Sequence, residues 1–243
     1  MALITGLVSY WKLDETSGTR ADSQGSLNLS DFNTVGATPA IINDGADFEA
    51  SSSEYLKVDN ATVLNFDQDW SISFWIKGET LSGSTVIMAR WGPTGAEAQL
   101  AWRLYYLASS TKISFQARNG GNESAYEFTE SLSTGTWYHI VLTFNYTNKT
   151  MTGYVNAVSQ GTTATQTYWP QWSATTNFVM ASFNPFSSFF DGVLDEVGIW
   201  GRALTSTEVS ELYNGGAGLS YPFGSGFTPT PMMHHMAISC GLM

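Results

Sequence analysis

The chain of 243 residues carries 21 acidic and 10 basic side chains, a net charge of −11, with 14% aromatic and only 13% charged residues. That balance leaves no basic stripe for phosphates and argues against nucleic acid or anionic membranes as partners. No stretch approaches the roughly 18 consecutive apolar residues of a spanning helix, so no membrane insertion is expected, and the single Cys240 offers no internal disulfide.

Short β-prone runs recur between Gly, Ser, Thr and Asn clusters, the rhythm of an antiparallel sandwich. LVSYWKL (7–13) opens the series, followed by a polar loop that contains RADSQGS (20–26). GADFEASSSEYLKV (45–58) reads as two short strands about a serine-rich turn. WSISFWIKG (70–78) alternates, placing Trp70, Ile72, Phe74 and Ile76 on one face. STVIMARW, WRLYYL, KISFQAR and YEFTE continue the pattern. WYHIVLTFNY (137–146) sets Tyr138, Ile140, Leu142, Phe144 and Tyr146 against Trp137, His139 and Val141, which predicts a strand covered on both faces. A turn at Asn148 and Lys149 returns the chain as a hairpin.

LTSTEVSELYNGG (204–216) carries the helical signature. Thr205 and Glu208 have the spacing of a capping box, Leu204 and Val209 that of a hydrophobic staple, and Asn214-Gly215-Gly216 supplies a left-handed stop. Two turns cannot stand alone in water, so this helix must pack on the sandwich. From Tyr221 the composition turns to Pro, Gly and Met without periodicity. Residues 221–243 are expected to form an arm apart from the domain of residues 1–220, with Phe227, Met232, Met233 and Met236 as assembly contacts.

Four pieces in this order resemble the laminin-G-like, concanavalin-A-like jelly-roll family: YWKLDETSGTRADSQGS, GADFEASSSEYLKV, WSISFWIKG with the later GTWYHIVLTFN, and FDGVLDEVGIWGRALTSTEVSELYNGG. The resemblance covers about residues 7–216 and implies an all-β fold, a two-sheet antiparallel sandwich with first and last strands adjacent and one short C-terminal helix. It also implies a structural calcium ion where the loop after the first strand meets the Asp-Glu strand. Mapped here, the ligands are Asp22, carbonyls around Gln24 and Gly25, and Asp195. The alternative for Asp195 is a buried carboxylate that accepts backbone N–H bonds with no metal. Glu196, pointing the other way along a strand, is expected at the surface or rim. One departure from the family pattern is VNAVSQG (155–161) in place of an Asp-Gly turn, which suggests a longer or re-aimed loop.

A catalytic role finds little support. Glycosidases need two carboxyl groups about 5–10 Å apart across a cleft, whereas Asp14-Glu15 and Asp195-Glu196 are adjacent pairs that a regular strand splits between faces. His139 has the setting of a packed, hydrogen-bonded core residue. Two aromatic loops, YWPQWS with Trp169 and Trp172 and FNPFSSFF with Phe186 and Phe189, suit sugar rings or a protein partner. The expectation is a non-catalytic recognition or adhesion domain, extracellular or on a virion surface, where it acts as a structural or decoration protein that binds glycans or surface proteins. It is expected to form a homo-oligomer or dock on a larger assembly. A free-standing, calcium-dependent carbohydrate-binding module is the alternative, with a glycoside hydrolase behind it.

Overall fold

Alternation of apolar residues along the strands generates two sheets packed face to face. The computed structural model describes residues 3–65, 67–91, 100–119, 122–166, 176–182 and 188–224. The strands are β1 (Leu7–Trp11), β2 (Ser30–Phe32), β3 (Gly36–Pro39), β4 (Asp44–Phe48), β5 (Tyr55–Val58), β6 (Trp70–Gly78), β7 (Thr85–Trp91) and β8 (Leu100–Leu107). They continue with β9 (Lys112–Asn119), β10 (Asn122–Ser131), β11 (Trp137–Asn145), β12 (Thr150–Val155), β13 (Val158–Thr162), β14 (Asn177–Met180) and β15 (Gly192–Trp200), and the helix α1 spans Ser206–Tyr213. The eight-stranded sheet runs β13-β12-β11-β6-β15-β4-β3 with β1 also on β15, and the seven-stranded sheet runs β10-β9-β8-β7-β14-β5-β2. The serine-rich turn between β4 and β5 therefore carries the chain from one sheet to the other.

The interior is aromatic. Trp70 and Phe144, cross-strand partners on β6 and β11, stack at 3.8 Å, and Trp102, Phe115 and Phe178 of the facing sheet close over them. Trp70, Ile72, Phe74 and Ile76 all point into this core. Arg90 is also buried; its guanidinium donates to the carbonyls of Leu64 and Ala61 and to Thr176 Oγ1, holding the turn before β6. Burial lowers its pKa to about 9.

A second core lies on the outer side of the eight-stranded sheet. Val141 and Trp200 meet Val209 and Leu212 of α1, Leu3 and Leu7 of the N-terminal segment, and Leu219, Tyr221 and Phe223 beyond the helix. This is the two-sided cover expected of β11. The capping box at Thr205 and Glu208 is formed, and Arg202 pairs with Glu208 at 2.7 Å. Gly198 has no room for a side chain: a Cβ would stand 2.5 Å from Trp200 and 2.9 Å from Tyr10. Tyr221 stacks on Tyr10 at 5.2 Å, so the chain past residue 220 continues across this face. Phe227, Met232, Met233 and Met236 lie outside the described residues.

Two turns differ in kind. The hairpin of β11 and β12 turns at Asn148 and Lys149 as expected, with Lys149 at φ +54°. VNAVSQG is a tight two-residue connection rather than a longer loop. Asn156 and Ala157 take positive φ values of 50° and 63°, and the Asn156 carboxamide accepts the His139 N–H at 2.9 Å. Asn tolerates this region, and the side-chain bond compensates Ala for its strain.

Candidate functional site

The buried carboxylates decide between ion, anchor and acid. Asp22 is an anchor. Its Oδ1 accepts the N–H groups of Tyr10, Gln24 and Gly25 at 2.8–3.1 Å, and its Oδ2 accepts that of Leu27 at 3.0 Å. Three N–H donors saturate Oδ1, and Oδ2 keeps one lone pair beside the Leu27 N–H. Gly25 serves by its smallness: a Cβ there would lie 2.6 Å from Asp22 Oδ2. Gln24 directs its side chain to the Tyr221 hydroxyl at 2.9 Å. The loop set Asp22, Gln24 and Gly25 is thus hydrogen-bonded within itself and to the chain after α1.

Asp195 holds a different segment. Its Oδ2 accepts from Ile41 and Ile42, at 3.1 and 3.0 Å, in the turn between β3 and β4. Asp195 is fully buried, and Glu196, expected at the rim, is buried as well with 4% exposure. The reason is a bulge: the pairing of β15 with β6 shifts register between Asp195 and Gly198, and Glu196 takes φ +49°. Strict alternation fails at that point. Glu196 Oε2 accepts the Tyr10 hydroxyl, while Asp195 Oδ1, Glu196 Oε1 and Asp14 Oδ1 are buried without a hydrogen-bond partner. Burial raises the pKa of both Asp195 and Glu196, and the charge of Asp14 raises each further. Among the described residues, the group of three carboxylates whose oxygens all come within 4.8 Å of one another is Asp47, Glu49 and Glu79, a largely exposed set where β4 and β6 end.

His139 has the packed role expected. It is buried, Nε2 lies 2.9 Å from Ser73 Oγ, and the rings of Trp75 and Tyr213 flank it. Burial lowers its pKa to about 3.

The outward face of the seven-stranded sheet is the other candidate. A sandwich commonly leaves such a face polar, yet Val86, Ala89, Trp91 and Leu100 form a buried apolar cluster at its centre. On one flank, Phe32 and Tyr55 are cross-strand partners stacked at 4.5 Å, with Phe189 at 6.4 Å from Tyr55 and Lys57 over Phe32 at 5.2 Å. Of the aromatic residues singled out in the two loops, Phe189 is placed here, half-buried; Trp169, Trp172 and Phe186 lie outside the described residues. On the other flank, Arg103 lies over Tyr105 beside Ser114 and Gln116. Sequence reasoning missed these four. Alternation in KISFQAR does send Ser114 and Gln116 outward, but the neighbours they acquire depend on register with β8.

Comparison with known proteins fits this architecture. No curated protein matches the chain. The binding domain of Paraclostridial Mosquitocidal Protein 1 superposes with a TM-score of 0.69 at 17% identity, over 87% of this chain and 52% of that one. A structure of botulinum neurotoxin type C, whose cell entry depends on interaction with two ganglioside molecules, gives 0.67 at 16% identity, over 87% and 51%. Domain 4 of AbnA, a GH43 extracellular arabinanase from Geobacillus stearothermophilus, in complex with arabinotriose, gives 0.63 at 17% identity, over 84% and 97%. The chain spans about half the length of the two toxin structures. At these identities the likeness is one of fold. The family model for the concanavalin A-like lectin/glucanases superfamily matches residues 50–210, which take in strands of both sheets and most of α1, and the chain belongs to that superfamily.

Proposed function

We propose that the chain is a non-catalytic module that binds glycans at an external surface, with the outward face of the seven-stranded sheet as its ligand face. The observation that carries this reading is the strip of Phe32, Tyr55 and Phe189 on that face, with the two phenylalanines half-buried. Sugar rings lay their C–H faces on such surfaces, and polar neighbours fix their orientation. The arabinotriose-bound domain of similar fold is consistent with it. Asp195 and Glu196 are too deeply buried to flank a glycosidic bond, which supports recognition without hydrolysis. Docking on a virion or other assembly depends on residues 225–243 and has no support among the described residues.

The reading includes a calcium ion, with Asp195 kept from the set the sequence suggested and Asp14 and Glu196 in place of Asp22, Gln24 and Gly25. The three orphaned oxygens on Asp14, Asp195 and Glu196 fit a hard cation, which takes six to eight oxygens. Their oxygens are not gathered within 4.8 Å, as those of Asp47, Glu49 and Glu79 are, so an ion there would draw them together. Such an ion supplies charge neutralisation at the joint between β15, β1 and the turn after β3, and takes no part in ligand chemistry.

The test is binding to a panel of immobilised oligosaccharides. Phe32→Ala and Phe189→Ala are each expected to weaken the best ligand about tenfold, the equivalent of ~1.4 kcal/mol. Binding that survives both substitutions unchanged removes the strip from the ligand face.

A further inference from the structure

We infer that Tyr105, Ser114 and Gln116, overlooked by the Arg103 guanidinium, form a hydrogen-bonding subsite for the hydroxyl groups of a neutral saccharide. The inference rests on the glycan reading and adds a second place on the same sheet face, together with the ligand's charge class.

Register creates the site. Gln116 on β9 stands opposite Arg103 on β8, and Ser114 stands opposite Tyr105. Ile113, Phe115 and Ala117 point into the core, so Ser114 and Gln116 point outward, as do Arg103 and Tyr105 between the inward Trp102, Leu104 and Tyr106. The result is a block of four side chains on two adjacent strands, with Arg103 4.8 Å above the Tyr105 ring. On the β7 side the block meets an apolar wall, where Val86 and Ala89 are the partners of Tyr105 and Arg103. On the β10 side the partner of Gln116 is Ala125, small and exposed. That alanine leaves no long side chain between the amide and the sheet edge, the side from which we place the ligand.

Gln116 is the group that points to a ligand. It is 5% exposed, and its Oε1 has no hydrogen-bond partner. A buried polar atom left unsatisfied weakens a fold, and such atoms in native structures call for an explanation outside stability. A saccharide hydroxyl provides one: it donates to Oε1 beside Tyr105, as a polar group orients a sugar next to an aromatic side chain. Ser114, 4% exposed, supplies a second hydroxyl contact of the same kind.

Net charge favours a neutral ligand. Glu123 and Glu127, on either side of Ala125, are neutralised by Arg118 at 3.5 Å and Lys112 at 3.6 Å, and Arg103 over Tyr105 has interactions of its own. With these local charges engaged, the field of a chain of net charge −11 repels an acidic sugar.

The experiment measures affinity and melting temperature together. Full-length protein and the variants Gln116→Leu, Ser114→Ala and Phe32→Ala are titrated with arabino-, xylo-, manno- and cellotriose, and with sialyllactose as the acidic comparator. Wild type is expected to bind a neutral trisaccharide in preference to sialyllactose. Gln116→Leu should weaken that binding at least tenfold while the melting temperature stays level or rises, because an orphaned group has been removed. Ser114→Ala should weaken it severalfold. A lower melting temperature for Gln116→Leu overturns the inference, since the amide would then be satisfied within the fold. Unchanged affinity in both β9 variants overturns it too; if Phe32→Ala alone abolishes binding, the glycan reading stands and this subsite does not. Preference for sialyllactose refutes the charge class, and no saccharide bound by wild type removes both readings.

Discussion

Replacing His139 with Gln should flatten the acid side of the protein's stability profile. The imidazole is buried between β6, β11 and α1, with Ser73 Oγ as its hydrogen-bond partner and Nδ1 unpartnered. Its folded pKa of about 3 lies below the unfolded value of about 6.5, so the unfolded chain binds more protons between these limits. The stability due to neutral His139 is therefore complete above pH about 6.5 and is lost as pH falls toward the folded value. Each pH unit in that window is worth about 1.4 kcal/mol, which makes the loss at pH 4.5 about 2–3 kcal/mol. Urea melts of wild type and His139→Gln at pH near 7.5, 5.5 and 4.5 give the difference directly. Carboxylates titrate in both proteins and cancel between the curves. The variant should lose about 2 kcal/mol less than wild type over this range. Parallel profiles would refute the argument, because they would mean that the folded imidazole takes up its proton as readily as the unfolded one.

Asp22→Ala should destabilise the chain by about 3 kcal/mol in chemical denaturation, since four N–H groups lose a charged acceptor; a loss under about 1 kcal/mol would mean that water replaces the carboxylate. If calcium occupies the joint at Asp14, Asp195 and Glu196, EDTA lowers the melting temperature and added calcium restores it. That response should disappear in Asp195→Asn and persist in Asp22→Asn; no response in wild type, with no ion by elemental analysis, removes the metal. Gly153→Ala should cost about 1–3 kcal/mol by overpacking, because its Cβ would stand 2.6–2.7 Å from the rings of Tyr126 and Phe128. A thermal melt equal to wild type would show that those rings yield.

The sandwich was legible wherever one strand's own pattern determines its surroundings. Trp70, Ile72, Phe74 and Ile76 state their face by alternation alone, and Thr205 with Glu208 states the start of α1 within four residues. Legibility ended where a residue's environment comes from a distant segment. Asp22 has the composition of a calcium ligand, yet the close approach of Tyr10, Gln24, Gly25 and Leu27 satisfies it first. VNAVSQG lacks the usual glycine in its turn, and the compensation comes from Asn156 bonding to His139 across the hairpin. Ser114 and Gln116 are plainly outward on β9, but only register with β8 gives them Tyr105 and Arg103.

The Asp195-Glu196 pair follows from a requirement of the topology. On one side β15 pairs with β6 along much of its length; on the other it has two successive partners, β4 over residues 192–194 and β1 over residues 197–200. Between residues 194 and 197 the ladder on that side thins to one long backbone bond, from the Glu196 N–H to the Lys12 carbonyl at 3.5 Å, inside the protein where unpaired backbone groups are costly. Side chains reinforce it. Asp195 turns toward the outgoing partner and accepts the N–H groups of Ile41 and Ile42, in the turn that leads into β4. Glu196 turns toward the incoming one and accepts the Tyr10 hydroxyl on β1. The bulge permits consecutive residues to serve partners that a regular strand would place beyond the reach of one of them. Two carboxylates in sequence thus mark the point where a strand changes partner. Their remaining oxygens, buried beside Asp14, require a cation or protons, and that requirement makes the pair a joint rather than an acid–base couple open to substrate.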